Sequence, residues 1–136
     1  MNSGRHRSRA AASMHHHGPA SAEVATRLRR QLIAWAAGEG VHPDVTYDMG
    51  LASYEAMANT VTHAYPRGTV GPLELHAELE NGTVVVTVSD HGRWPEEDAP
   101  GNGLALIREL AADSEVDRGR YGTTIRMSWP RGDGTP

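Results

Sequence analysis

At 136 residues the chain has room for one domain with a real core and too little for two, and hydrophobic residues at 38% with charged residues at 22% suit a globular protein. It contains no Cys, and all 13 of its basic residues are Arg; disulfides, Cys-ligated zinc, thiolate catalysis, lysine Schiff bases and a G-x-x-x-x-G-K-[ST] phosphate loop are therefore excluded. A net charge of -4 argues against bulk binding to nucleic acid or an anionic membrane, and no apolar run reaches the roughly 18 to 20 residues of a membrane span, so a cytoplasmic protein is expected.

Residues 1–20, rich in Arg, Ser, Ala and His, show no apolar periodicity and read as a flexible N-terminal arm. His15, His16 and His17 fall inside it; such a run can bind metal, but here it reads as solvated tail. A domain over residues 21–129 follows, with 130–136 as a C-terminal tail. Ser21 is a good N-cap, and Val24, Leu28, Leu32 and Trp35 recur at helical spacing, which predicts a first helix over Ala22 to Ala37, closed by Gly38 and Gly40. Arg27, Arg29 and Arg30 read as its solvated face.

A second helix is predicted from His42-Pro43-Asp44 to Tyr65, with Gly50 as a weak point and Pro66 as the stop. At about 3.6 residues per turn, Glu55 and Asn59 lie one above the other, so a carboxylate and a carboxamide project into the same space. Thr62 and His63 extend that polar side. Tyr54, Ala58, Val61 and Tyr65 read as a separate apolar stripe that faces the core.

Leu73, Leu75, Ala77 and Leu79 alternate with Glu74, His76, Glu78 and Glu80, the period of a half-buried strand. Asn81-Gly82 supplies a two-residue hairpin turn into a Val-rich strand, Thr83 to Ser89, that ends at Asp90. His91 to Pro100 reads as a polar loop and lid carrying Trp94. Gly101-Asn102-Gly103 leads into a short helix from Leu104 to Leu110, and a last hairpin runs from Glu115 through Gly119–Gly122 to Trp129.

Four short segments now stand in order: Glu55-x-x-x-Asn59, Asp90-x-Gly92, Gly101-x-Gly103-Leu104 and Gly122-Thr123. Each alone is common in ordinary helices, strand ends and loops. Together they resemble the ATP-binding fold shared by gyrase, the Hsp90 chaperone, histidine kinases and MutL, the GHKL or Bergerat fold. The longer stretches YEAMANTVTHAY, VSDHG, GNGLALIREL and GTTI are most similar to its anti-sigma factor serine kinase branch, the RsbW-like proteins, over roughly Ser21 to Trp129.

The resemblance implies a two-layer α/β sandwich, with about three helices on one face of a mixed, mostly antiparallel sheet. It gives Glu55 the part of catalytic base and Asn59 that of a Mg²⁺ ligand, a role that suits a hard carboxamide oxygen. Asp90 accepts from the adenine amine, Gly92 lets the ring approach, and Thr123 offers a hydroxyl to Asp90, a trapped water or adenine. Gly101, Gly103 and Leu104 lie on the phosphate side, ahead of a helix N-terminus. Relatives often carry Arg at the centre of the glycine pair where this chain has Asn102, with Arg93 or Arg108 as replacement charge.

The implied function is an anti-sigma regulatory factor that phosphorylates a serine of a STAS-type anti-anti-sigma antagonist with ATP and Mg²⁺. Its implied partners are that antagonist and a sigma factor, and a homodimer is compatible with the family. The alternative is an ATP-binding switch that transfers no phosphate.

Overall fold

The computed structural model of the chain describes residues 11–93 and 103–132. Strand β1 (Ala11–Pro19) leads into helix α1 (Ala22–Gly38) and helix α2 (Pro43–Asn59), which continues as a π-helical turn over Thr60–Ala64. Strands β2 (Pro72–Glu80) and β3 (Thr83–Asp90), helix α3 (Leu104–Leu110), and strands β4 (Asp113–Gly119) and β5 (Gly122–Pro130) complete it.

Local chemistry sets the element ends. Ser21 Oγ accepts from the Val24 N–H at 3.1 Å and so caps one of the donors that the first turn of α1 leaves open. At the start of α2, His42 Nδ1 accepts from the Asp44 N–H at 3.0 Å, and Pro43 sits where a missing N–H does no harm. Between β2 and β3, Asn81 (φ 54) and Gly82 (φ 81) both take the positive φ that a tight hairpin turn requires.

The five strands form one sheet in the order β1-β2-β3-β5-β4. On its inner face Leu75 pairs with Val88, Ala77 with Val86 and Leu79 with Val84, a register that keeps every apolar partner on the helix side. Ile125, Met127 and Trp129 extend this layer, and Leu28, Leu32, Met49, Met57 and Ile107 close it from the helices. The Trp129 indole N–H donates to the Leu110 carbonyl at 2.9 Å, which fixes the end of α3 on the sheet.

Several expectations are corrected. The arm assigned to residues 1–20 gives way at Ala11, because β2 offers a full open edge and β1 pairs along it from Ala11↔Glu80 to Pro19↔Pro72. The C-terminal tail is tied as far as Arg131, whose N–H donates to Gly82 O at 2.7 Å and whose carbonyl accepts from the His42 N–H. A mixed sheet is expected, but all four pairings are antiparallel. Strands β3 and β4 do run parallel across the α3 crossover; β5 inserts between them, so no parallel ladder forms.

Helix two is not uniformly α-helical to Tyr65, since it widens at Thr60. Nor do Tyr54, Ala58, Val61 and Tyr65 form its buried stripe: each is only half-buried. The buried side is Met49, Ala52, Ser53, Ala56 and Met57, mostly small residues that let the helix approach its neighbours closely. Gly50 belongs to that contact, with Ile33 Cδ1 2.9 Å from where a Cβ would stand.

The edge-strand assignment predicts that backbone amides of residues 12–18 that bond to β2 exchange with solvent far more slowly than an arm would allow. Hydrogen exchange by NMR checks this, and uniformly fast exchange across the segment refutes it.

Candidate functional site

The site is built on a buried charge. Strand alternation puts Val84, Val86 and Val88 inward, so Asp90, two residues further, also points into the protein at the strand's C-terminal end and is 4% exposed. Its carboxylate is held by three elements. Thr60 Oγ1 donates to Oδ2 at 3.1 Å, while the N–H groups of Gly92 and Thr123 donate to Oδ1 at 3.0 and 3.2 Å. Charge-assisted bonds of this kind offset the large desolvation of a buried carboxylate.

The π-helical turn begins at Thr60, one residue after Asn59. Such wide turns are rare inside α-helices and concentrate at functional sites. Here the buried Asn59 and Thr60 are divided between two neighbours: Thr60 meets Asp90, while Asn59 lies beside the segment that enters α3. Gly103 carries φ 80, and a Cβ on it would stand 2.7 Å from Glu55 Oε2 and 3.4 Å from Asn59 Nδ2. Only glycine meets both the backbone angle and that approach without strain. Glu55, Asn59 and Gly103, separated by up to 48 positions in the chain (103 − 55), are thus brought together.

Gly92 has a different reason to be glycine. A Cβ there would fall 1.9 Å from the Ala64 carbonyl oxygen, the same oxygen that accepts from the Arg93 N–H at 2.8 Å. The approach is made by the protein's own backbone, which locks the end of the π turn against the segment leaving β3. Tyr65 braces this junction: its hydroxyl accepts from the His91 N–H at 2.9 Å and donates to Pro72 O at 2.5 Å. Burial is the main cause that raises the Tyr65 phenol above its ordinary 10.0; the nearby Asp90 charge adds to it, and the His91 N–H partly offsets it.

Leu104 is buried at the head of α3, and Thr123 is buried at the start of β5. Gly101, Asn102, Trp94 and the rest of the lid from Trp94 to Pro100 lie outside the described residues. Arg93 is exposed and lines a cavity of about 590 Å³ with His63, Tyr65, His91 and Arg120; Arg108 is exposed in the last turn of α3. Two residues of the site escape the sequence reading. Tyr65 reads as core, and Thr60, though inside the stretch YEAMANTVTHAY, is given no role; the signal for Thr60 is that an inward-facing Asp90 demands a donor, and a hydroxyl stands beside Asn59.

The histidine kinase-like ATPase domain family matches residues 18–129. The chain belongs to that family. This ATPase domain is similar in structure to the RsbU and RsbW domains of Rv1364c from Mycobacterium tuberculosis, with a TM-score of 0.75 over 88% of this chain, 27% identity and 32% of that chain covered. It also resembles the histidine kinase domain of the EL346 blue-light activated histidine kinase from Erythrobacter litoralis, with a TM-score of 0.58, 22% identity, and 80% of this chain and 60% of that one covered; this second likeness is one of fold. The chain thus spans about a third of the first structure's length and about three fifths of the second's. No curated protein matches its sequence. The GHKL fold expected from the four motifs is established, and with it an ATP-binding module of the kinase-like type.

The residues present fit such a nucleotide. Asn59 is 4% exposed, and its Nδ2 has no hydrogen-bond partner among the described residues. A buried amide left so is unfavourable by about 1–3 kcal/mol, which is the expected state of a group whose partner is a ligand or its water.

Thr60→Val keeps the shape of the side chain and deletes a donor to a buried carboxylate. We expect it to lower stability by about 1.5–3 kcal/mol, read from urea unfolding; an unchanged midpoint would show that the Thr60–Asp90 bond contributes nothing.

Proposed function

We propose that this ATPase domain is an anti-sigma regulatory factor that uses ATP and Mg²⁺ to phosphorylate a serine of a STAS-type anti-anti-sigma antagonist. The observation that carries the proposal is the meeting of Glu55, Asn59 and Gly103 at one place, in a fold similar to an RsbW domain at 27% identity. Asp90 is the adenine reader, assisted by Gly92 and Thr123. Asn59 would hold Mg²⁺, while Gly103 and Leu104 would line the phosphate side. Bound nucleotide supplies the transferable phosphoryl group.

The protein's own part is positional and acid–base. Glu55 stands one helical turn before Asn59, so its carboxylate lies beside the proposed metal ligand. There it receives or orients the proton of an incoming serine hydroxyl. Asp90 discriminates by polarity: its carboxylate accepts from an exocyclic amine, as adenine offers, and repels a carbonyl at that position. A sigma factor is the second partner, and whichever partner prefers the ATP-loaded form gains at the other's expense.

Asp90→Asn tests the adenine role more cleanly than Ala, which would orphan three donors at once. We expect ATP affinity by calorimetry to fall by roughly 2–3 kcal/mol, with the fold kept by circular dichroism; unchanged affinity would remove Asp90 from the nucleotide site. Glu55→Ala should keep ATP binding while phosphotransfer to an antagonist serine is lost. Should the wild-type protein bind ATP yet phosphorylate no antagonist, the domain is a nucleotide-dependent switch rather than a kinase.

A further inference from the structure

The run His15-His16-His17 reads as solvated tail, yet it lies in β1, where successive side chains leave on opposite faces. Ala12 and Met14 pack against the core, so His16 shares their side, and His15 and His17 stand exposed on the other. Strand register sets His15 opposite His76 and His17 opposite Glu74. Four side chains able to bind a metal thus occupy a two-by-two grid on adjacent strands, on the face of the sheet opposite the described helices.

The spacings suit one shared ion. Ring centres of His15 and His76 are 5.6 Å apart, with the rings edge-on, and those of His15 and His17 are 6.3 Å apart. Two imidazoles on one tetrahedral ion, each nitrogen about 2 Å from the metal, hold their ring centres roughly 5 Å apart. The His15–His76 pair is therefore within about an ångström of a chelating geometry. Glu74 Oε2 already touches His15 Nε2, so the carboxylate lies inside the same cluster. Among the described residues no three ligands are yet closed around one point; closure requires rotation of exposed side chains, at little steric expense.

We propose that His15, His76 and Glu74, with His17 as fourth donor, form a binding site for a divalent transition-metal ion of the Zn²⁺ class on the outer face of β1 and β2. Imidazole nitrogens with one carboxylate are a borderline donor set that favours Zn²⁺, Ni²⁺ or Cu²⁺ over Mg²⁺ or Ca²⁺. The site is separate from that of the nucleotide, because Asp90 points to the helix side of the sheet and these residues to the other. Its consequence is mechanical: among the described residues β1 is an edge strand bonded to β2 alone, and an ion bridging the two clips that edge to the sheet.

His16 provides the internal control. A linear histidine tract would use it together with its neighbours, whereas a site made by strand pairing excludes it and requires His76, which lies 61 positions from His15 (76 − 15). The test titrates ZnCl₂ by calorimetry into the full chain, carrying no added histidine tag and stripped of metal, at a pH where imidazole is mostly neutral. We expect one ion per chain, with His15→Ala and His76→Ala each weakening binding by about tenfold or more, since loss even of a group that only orients a ligand weakens binding that much, and His16→Ala leaving it unchanged. Zinc should raise the thermal midpoint of the wild type and of His16→Ala, but not of the other two. Absence of binding overturns the proposal, as does His76→Ala binding like wild type or His16→Ala losing as much as His15→Ala. Metal-free urea midpoints of the variants confirm that each is folded.

Discussion

A buried carboxylate organises this domain. Asp90 sits at the end of a strand whose alternation points it inward, and a charge in that position persists only if it is surrounded by donors. Those donors come from the π turn after α2, the segment leaving β3 and the first turn of β5. Three chain segments are therefore held at fixed distances by one side chain. The bonds that satisfy the charge are also the bonds that fix these segments, so rigidity and polarity of the site share one origin.

The widened turn of α2 follows from that demand. On a regular helix, Asn59 and Thr60 point about 100° apart, and the helix must serve both Asp90 and the glycine segment ahead of α3. The inserted residue of a π turn changes the direction of the chain just after Asn59, and Ala64 then docks its carbonyl where a side chain of residue 92 would otherwise stand. Thr60, Ala64 and Gly92 are thus one mechanical unit. A larger residue at position 92 would push the turn away and loosen the hydroxyl that holds Asp90.

Much of this was legible in the sequence because it rests on local rules. The alternation of β2 and β3, the Asn81-Gly82 turn, the Ser21 cap and the one-turn spacing of Glu55 and Asn59 each depend on neighbours in the chain. What escaped depends on partners elsewhere. In AASMHHHGP only Ala12 and Met14 mark the inner face, too faint an alternation to announce β1 without the open edge of β2 opposite it. The stripe of Tyr54, Ala58, Val61 and Tyr65 on the predicted second helix fails for a similar reason: apolar spacing suggests burial, whereas close helix packing selects Ala52, Ser53 and Ala56. The convergence of Gly103 on Glu55 and Asn59 could be inferred only through the resemblance, since no spacing rule links positions so far apart.

The two faces of the sheet now divide the work. Leu73 pairs with Asp90 on one side and with Gly18 on the other, so the β1 edge, β2 and the site share one row of the sheet. His76 lies three residues further along β2, roughly 10 Å away at about 3.3 Å per residue, and its side chain faces the opposite direction. None of the three donors described for Asp90 belongs to β1 or β2. An ion on the outer face would therefore act on the stability of the edge and leave the donors of Asp90 untouched. The β2–β3 ladder connects His76 to the strand that carries Asp90, where Val86 and Val88 are already packed to the core. The β1 edge and the strand that carries Asp90 thus meet on a single strand, since β2 pairs with β1 on one side and with β3 on the other.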